Sequence, residues 1–147
     1  MLTLDGTHFT TGRATYRDLH PQSQSTKSAI YVQVVLPIHP SISLYAIIDT
    51  GTPFCIFETE IAEALGLFPI HGESMPLKTA YGPFNGTIQR ATLRLVAEQG
   101  DSLDIEASIF VTDDWTHGNF LGYSGLLERI RFAIDPMTNS FYFGPQP

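Results

Sequence analysis

Alternation of apolar and polar residues with a period of two constrains the fold of this chain more than any other feature. Residues 103–111 carry an apolar side chain at every second position, and residues 91–97 follow the same pattern. The positions between the apolar ones in the first segment are Asp104, Glu106 and Ser108. Because successive side chains of a strand point to opposite faces, both segments are predicted to be strands with one buried face.

The composition also favours strands and turns over helices. Charged residues make up only 16% of the 147 residues, aromatic residues make up 12%, and there are 12 glycines and 10 prolines. Aromatic residues are enriched in strands, whereas glycine and proline are enriched in turns. This balance excludes a coiled coil or a helical bundle, and the 43% apolar content excludes wholesale disorder. The length fits one all-β domain with a core of its own.

The charge balance limits the partners that we expect. Fifteen acidic residues outnumber eight basic ones, and the basic residues form no cluster. A nucleic acid or an anionic membrane surface would repel such a chain, so neither is a predicted partner. The five histidines are not spaced as metal ligands, and nothing implies a metal or an organic cofactor.

Three features that the sequence lacks predict the cellular compartment of the protein. The first residues have no basic start followed by an apolar run, which a signal peptide requires. Apolar stretches are too short to span a bilayer. Cys55 is the single cysteine, so it has no partner for an internal disulfide. We therefore expect a cytoplasmic protein.

The remaining segments divide into short elements. Residues 10–28 are polar and are predicted to be a loop or a mobile arm, which gives an N-terminal arm or extra strand at 1–28 and one domain at 29–147. Further strands are predicted at 29–36, 44–48 and 119–122, with a closing hairpin at 132–143. Two short helices are predicted, at 59–65 with Thr59 as the cap and at 124–130 with Ser124 as the cap.

A hairpin is predicted over residues 75–97. Asn85-Gly86 is the strongest short hairpin-turn dipeptide in this segment, and Gly82-Pro83 is a second turn signal beside it.

One motif carries candidate chemistry, Asp49-Thr50-Gly51-Thr52, which follows directly after the apolar strand at 44–48. Glycine lets the backbone pass close to other atoms, and the threonine hydroxyls can orient the carboxylate. Two carboxylates that share one proton can hydrolyse an amide, because one activates water and the other protonates the carbonyl oxygen.

In the order of these motifs the chain resembles the retropepsin-like aspartic proteases. That family has the apolar strand with the Asp-Thr-Gly turn, then a short helix ending in Leu-Gly-Leu, a flap hairpin, two apolar residues with a glycine before a short helix, and a closing hairpin. The matching segments here are residues 45–52, 60–67, 80–86, 120–122 with 126–130, and 134–136. The resemblance covers about residues 29–144 and implies a closed or nearly closed all-β barrel of the pepsin-lobe type with one or two short helices.

The resemblance also implies an activity and a set of roles. Asp49 would be the catalytic carboxylate, Thr50 would brace the turn across a two-fold axis, Gly51 would let the backbone approach, and Thr52 would hydrogen-bond the carboxylate. A flap would cover a peptide or protein substrate with Ala80, Tyr81, Gly82, Pro83 and Phe84. Because the chain holds a single Asp-Thr-Gly, the dyad needs two copies of Asp49, which predicts an aspartic endopeptidase that is active as a homodimer.

Other interpretations of the same residues remain open. Asp49 could cap its own turn, or the lobe could be a non-catalytic module that binds a peptide or a partner. Asp-x-Gly-Thr turns also occur in sugar kinases and actin-like ATPases, but those folds need longer chains with βαβ repeats. Cys55 is predicted to be a buried structural thiol rather than a nucleophile.

The aromatic residues near the predicted site allow two interpretations each. Trp115 and His117, next to Asp113-Asp114, could line a pocket or belong to a solvated loop. Tyr81 and Phe84 could touch substrate or pack on the sheet.

Overall fold

Strands joined by tight turns make up most of the protein. The computed structural model describes residues 1–21, 28–68 and 72–147. The strands are β1 (Thr3–Leu4), β2 (Thr7–His8), β3 (Gly12–Thr15), β4 (Tyr31–Leu36), β5 (His39–Asp49), β6 (Cys55–Ile56), β7 (Met75–Thr79), β8 (Gly82–Leu95), β9 (Gln99–Gly100), β10 (Leu103–Thr112), β11 (Phe120–Gly122), β12 (Ile130–Asp135) and β13 (Ser140–Pro145). One α-helix, α1 (Thr59–Ala64), and a 3₁₀ turn at Leu127–Arg129 complete the described elements. No helix in these described ranges is long and apolar enough to cross a membrane.

Six of the strands close into a barrel. The hydrogen-bonded order runs β10, β6, β11, β5, β4 and β8, and β8 pairs back onto β10. The β8–β10 ladder joins the two alternating segments of the sequence, from Leu103 opposite Leu95 to Thr112 opposite Gly86. β7 extends the sheet beyond β8 and is not part of the ring. The predicted all-β closed barrel is therefore confirmed.

The N-terminal segment forms part of a second sheet rather than a loop. β3 lies between β13 and β9, with Tyr142 opposite Arg13 and Gly12 opposite Gly100. A Cβ atom on Gly12 would lie 2.3 Å from the carbonyl oxygen of Asp101, so only glycine allows this pairing. The loop predicted for residues 10–28 is therefore wrong at 12–15. Residues 22–27 lie outside the described residues, and the division at residue 28 stays a prediction.

β10 is buried on both faces over its second half. Ser108, which the alternation placed on the polar face, is only 6% exposed. Its hydroxyl accepts a hydrogen bond from Nη2 of Arg129 at 2.8 Å, and its backbone N–H donates to the carbonyl of Gly125. The segment that follows β11 covers this face of the strand. The period-two pattern therefore predicted the strand correctly but not the burial of both faces.

The helix caps differ from the prediction. Glu58 is the N-cap of α1 and makes no side-chain capping hydrogen bond. The hydroxyl of Thr59 instead accepts a hydrogen bond from the Trp115 backbone N–H at 3.1 Å. The second predicted helix is reduced to the 3₁₀ turn, which begins after Leu126 and not at a Ser124 cap.

The turn of the β7–β8 hairpin lies at residues 79–82 and not at Asn85-Gly86. The Thr79 hydroxyl accepts from the Tyr81 N–H and donates to the Gly82 carbonyl, and Gly82 has a φ of +104°. Asn85 and Gly86 lie within β8, opposite Pro76 and Met75. A Cβ atom on Gly86 would lie 2.2 Å from the Val111 carbonyl oxygen. Gly86 is thus required where two strands approach closely, and the predicted turn there is wrong.

This placement of Gly86 predicts the effect of two neighbouring substitutions. Gly86→Ala forces β8 away from β10 and should cost about 1–3 kcal/mol of unfolding free energy, as overpacking does. Asn85→Ala, at an exposed strand position, should change it by less than about 0.5 kcal/mol. Urea denaturation of both variants measures this. A larger loss for Asn85→Ala than for Gly86→Ala would contradict the strand register.

Candidate active site

Asp49 is the last residue of β5 and enters the site from the barrel. It lies beside Gly122 of β11, and the two strands are parallel there. The preceding residues Ile47 and Ile48 pack into the apolar clusters, which anchors the strand. The turn after Asp49 is exposed at Thr50, Gly51 and Pro53. The carboxylate is therefore held at the barrel rim by a fixed strand.

Both oxygens of the Asp49 carboxylate accept hydrogen bonds from its own turn. The Gly51 N–H donates to Oδ1 at 2.9 Å, and the Thr52 hydroxyl donates to Oδ2 at 2.7 Å. A Cβ atom at Gly51 would approach Oδ1 to 3.2 Å, a tight contact. These donors fix the orientation of the carboxylate. Thr50 is exposed on the outer side of the turn.

The turn is itself held by the chain that follows β11. The Tyr123 N–H donates to the Thr52 carbonyl at 2.7 Å, and the Gly125 N–H donates to the Pro53 carbonyl at 2.9 Å. A Cβ atom on Gly122 would lie 2.2 Å from the Phe54 carbonyl oxygen. Gly122 and Gly125 therefore allow the two segments to pass in backbone contact. The sequence analysis marked Gly122 as the end of a strand and as the glycine of the motif at 120–122, but did not predict this backbone contact.

A cavity of about 290 Å³ lies over Asp49. Its floor and walls come from the turn, from β6 and β11, and from the loop that contains Trp115. The tip of the β7–β8 hairpin forms the opposite wall. The lining residues on that hairpin are Leu77, Lys78, Thr79, Ala80 and Tyr81.

The predicted substrate-covering residues are only partly gathered at this cavity. Ala80 and Tyr81 line it. Gly82 supplies the positive φ of the turn, and Pro83 is exposed opposite Lys78. The Phe84 ring packs 5.0 Å from the Trp115 ring, in an edge contact. The sequence analysis missed Leu77, Lys78 and Thr79 because it placed the turn further along the chain.

Trp115 forms a rigid support below the hairpin tip. It is 2% exposed, and its indole N–H donates to the Gly118 carbonyl at 2.7 Å. The ring of His117 stacks flat on Tyr81, with centroids 3.9 Å apart. Of the two interpretations of this loop, the structure supports the pocket lining for Trp115. The exposed polar residues on either side of it gave no sequence signal for a buried ring.

The remaining reactive candidate is Cys55. It is fully buried, and burial raises the pKa of its thiol to about 11, against smaller opposing effects of the Gly122 backbone and Arg129. A thiol in that state is a poor nucleophile at neutral pH. Within the described part of the chain, no group of three or more His, Cys, Asp or Glu side chains could hold a metal ion.

Comparison with solved structures identifies the architecture. No family model matches the chain, and no curated protein matches its sequence. A retropepsin-like aspartic protease from Rickettsia conorii superposes with a TM-score of 0.52 at 19% identity, over 91% of each chain. The retroviral protease-like domain of Ddi1 from Leishmania major superposes with a TM-score of 0.53 at 16% identity, over 85% of this chain and 96% of that one. The fold is retropepsin-like. At these identities the likeness concerns the fold alone.

The contact between Tyr81 and His117 predicts how the hairpin tip of this retropepsin-like fold moves. Tyr81→Ala removes the stacked ring and should speed amide exchange at residues 79–82, whereas Tyr81→Phe keeps the ring and should not. Residues 103–111, in the barrel, should stay protected in both variants. Exchange measured by mass spectrometry tests this. Equal exchange at the tip in wild type and Tyr81→Ala would show that the stack does not hold the hairpin.

Proposed function

We propose that the protein is an aspartic endopeptidase in which Asp49 from two chains forms the catalytic dyad. The observation that carries the proposal is the Asp49 carboxylate, oriented by Gly51 and Thr52 and facing a cavity that a hairpin covers. A carboxylate that merely capped a turn would not need a cavity above it. The likeness in fold to a retropepsin-like aspartic protease supports this proposal.

The need for a second chain follows from the cavity lining. Asp49 is the only acidic residue among the described residues that line the cavity. A dyad needs a second carboxylate close enough to share a proton, and a two-fold axis beside Asp49 supplies an identical one. The exposed surface next to Asp49, with Thr50, Gly51 and Tyr123, is open to such a partner.

The substrate that suits this site is an extended peptide. The apolar lining residues Ile56, Leu77, Trp115 and Phe120 can accept apolar side chains. β7 lies at one end of the hydrogen-bonded order, so its outer edge can pair with a peptide backbone. In the dyad, the charged Asp49 would take a proton from water while the protonated one donates to the carbonyl oxygen.

The free edge of β7 also favours a second candidate, a non-catalytic lobe that binds peptides. A single chain offers the strand edge and the cavity but only one carboxylate. Such a lobe would bind an extended peptide as a monomer and leave it intact.

Substitution of Asp49 separates the two candidates. Asp49→Asn keeps the size, and its amide oxygen can still accept the bond from the Gly51 N–H while its amide N–H donates to the Thr52 hydroxyl, but it cannot act as a base. Hydrolysis of an unstructured peptide should fall by at least about 10²–10⁴-fold with an unchanged circular dichroism spectrum.

The wild type should be most active in mildly acidic solution, because low pH protonates both carboxylates and high pH removes the shared proton.

Mixing chains tests whether the dyad is shared. Equal amounts of wild type and Asp49→Asn, allowed to exchange, should retain about a quarter of the activity of the same total amount of wild type, since only wild-type pairs hold two aspartates. Asp113→Asn, an exposed loop variant with the same change of charge, is the control and should retain full activity. Activity that falls only in proportion to the wild-type fraction would contradict a shared dyad, and an inactive wild type would favour the binding lobe.

A further inference from the structure

Another cavity, of about 310 Å³, adjoins the Asp49 cavity at Tyr81. Tyr81 is the residue that lines both cavities. We call this second cavity the Glu58 cavity. Besides Glu58 and Tyr81, its ring-bearing lining residues are His20, Tyr31, Tyr45 and His117.

Glu58 places a carboxylate in this cavity without a fixed cation. No Lys or Arg is among the described lining residues. The ion pairs among the described residues are Arg13–Glu98, Arg90–Glu106 and Arg94–Asp104, and none involves Glu58. Partial burial, followed by the charge of Glu60, raises the pKa of Glu58 against smaller opposing effects of His20 and His117, so its carboxylate is incompletely solvated. A bound cation would relieve this cost.

The rings around Glu58 suit an organic cation. Tyrosine faces attract ammonium and guanidinium groups, most strongly when the cation is partly removed from water. The His20 ring meets Tyr31 and Tyr45 in edge contacts, with centroids 5.3 Å and 6.0 Å apart, and His117 lies flat on Tyr81. The lining therefore holds two groups of rings, one around His20 and one at Tyr81. An anionic ligand would face the Glu58 charge and is disfavoured.

We propose that the Glu58 cavity binds the basic side chain, Lys or Arg, of a peptide whose backbone crosses the Asp49 cavity. The identification of that peptide as a substrate rests on the proposed function, whereas the cavity and its charge do not. Because the two cavities meet at Tyr81, a peptide residue a few positions from the one above Asp49 would reach the Glu58 cavity with its side chain. Glu58 is thus a specificity-determining residue.

The dependence on pH follows from the groups that face Glu58. Glu60 in α1 and the rings of His20 and His117 act on Glu58, and Tyr31, Tyr45 and Tyr81 also line the cavity. Because the pKa of Glu58 is raised, its carboxylate loses its charge at a higher pH than an ordinary glutamate does. Selectivity for Lys or Arg should therefore decrease towards low pH.

The test uses neutral extended peptides in which one Lys is moved along the sequence, with matched peptides that carry Arg, norleucine or Glu at the same place. At one position the wild type should prefer Lys or Arg over norleucine by about tenfold in kcat/KM, the scale of one partly desolvated cation contact. Glu58→Gln should abolish that preference, and Glu58→Lys should transfer it to the Glu peptide. Glu63→Gln, an exposed variant on the same helix outside the cavity, should keep the wild-type preference.

A binding measurement separates the two proposals. Asp49→Asn protein should bind the Lys peptide about tenfold more tightly than the norleucine peptide in calorimetry, and the double variant with Glu58→Gln should not. Selective binding without cleavage by the wild type would support the Glu58 cavity and contradict the protease. Two results would overturn the assignment of the cavity. One is that the protein cleaves or binds the Lys, norleucine and Glu peptides equally well at every position. The other is that the preference for Lys or Arg is unchanged in Glu58→Gln.

Discussion

Backbone contact between β11 and the turn after Asp49 is the constraint on which the site depends. Gly122 lies against the Phe54 carbonyl, and Gly125 lies against Cys55 and Ser108, with no room for a side chain at either glycine. This contact holds the Thr52 and Pro53 carbonyls by backbone hydrogen bonds. The segment after β11 therefore fixes the backbone of the turn, and the Gly51 and Thr52 donors on that turn orient the carboxylate.

The second requirement is a wall above the carboxylate. The hairpin of β7 and β8 supplies it, and the Tyr81 ring at its tip contacts His117 and Trp115. Trp115 is tied to Thr59 at the start of α1 and to Gly118 in its own loop. The tip is thus positioned by rings, which can separate without breaking a strand pairing. Tyr81 lines both cavities, Trp115 lines the Asp49 cavity and His117 lines the Glu58 cavity.

Much of this architecture could be predicted from the sequence because its signals are local. The alternation at residues 91–97 and 103–111 predicted two strands, which the structure pairs with each other, and the apolar run before Asp49 predicted the strand that carries it. The errors arose where a residue serves a distant neighbour. Gly86 looks like a turn glycine but is needed beside Val111, and Thr59 looks like a cap but binds Trp115. The Glu58 cavity joins residues from 20 to 119, and no local pattern indicates such a group.

The central claim is that two chains make one active site. The most direct measurement is the activity per chain over a wide range of protein concentration, with the mass in solution determined by sedimentation at each concentration. The account predicts that activity per chain falls on dilution and follows the fraction of dimer. Constant activity per chain in samples that sediment only as monomers would contradict it.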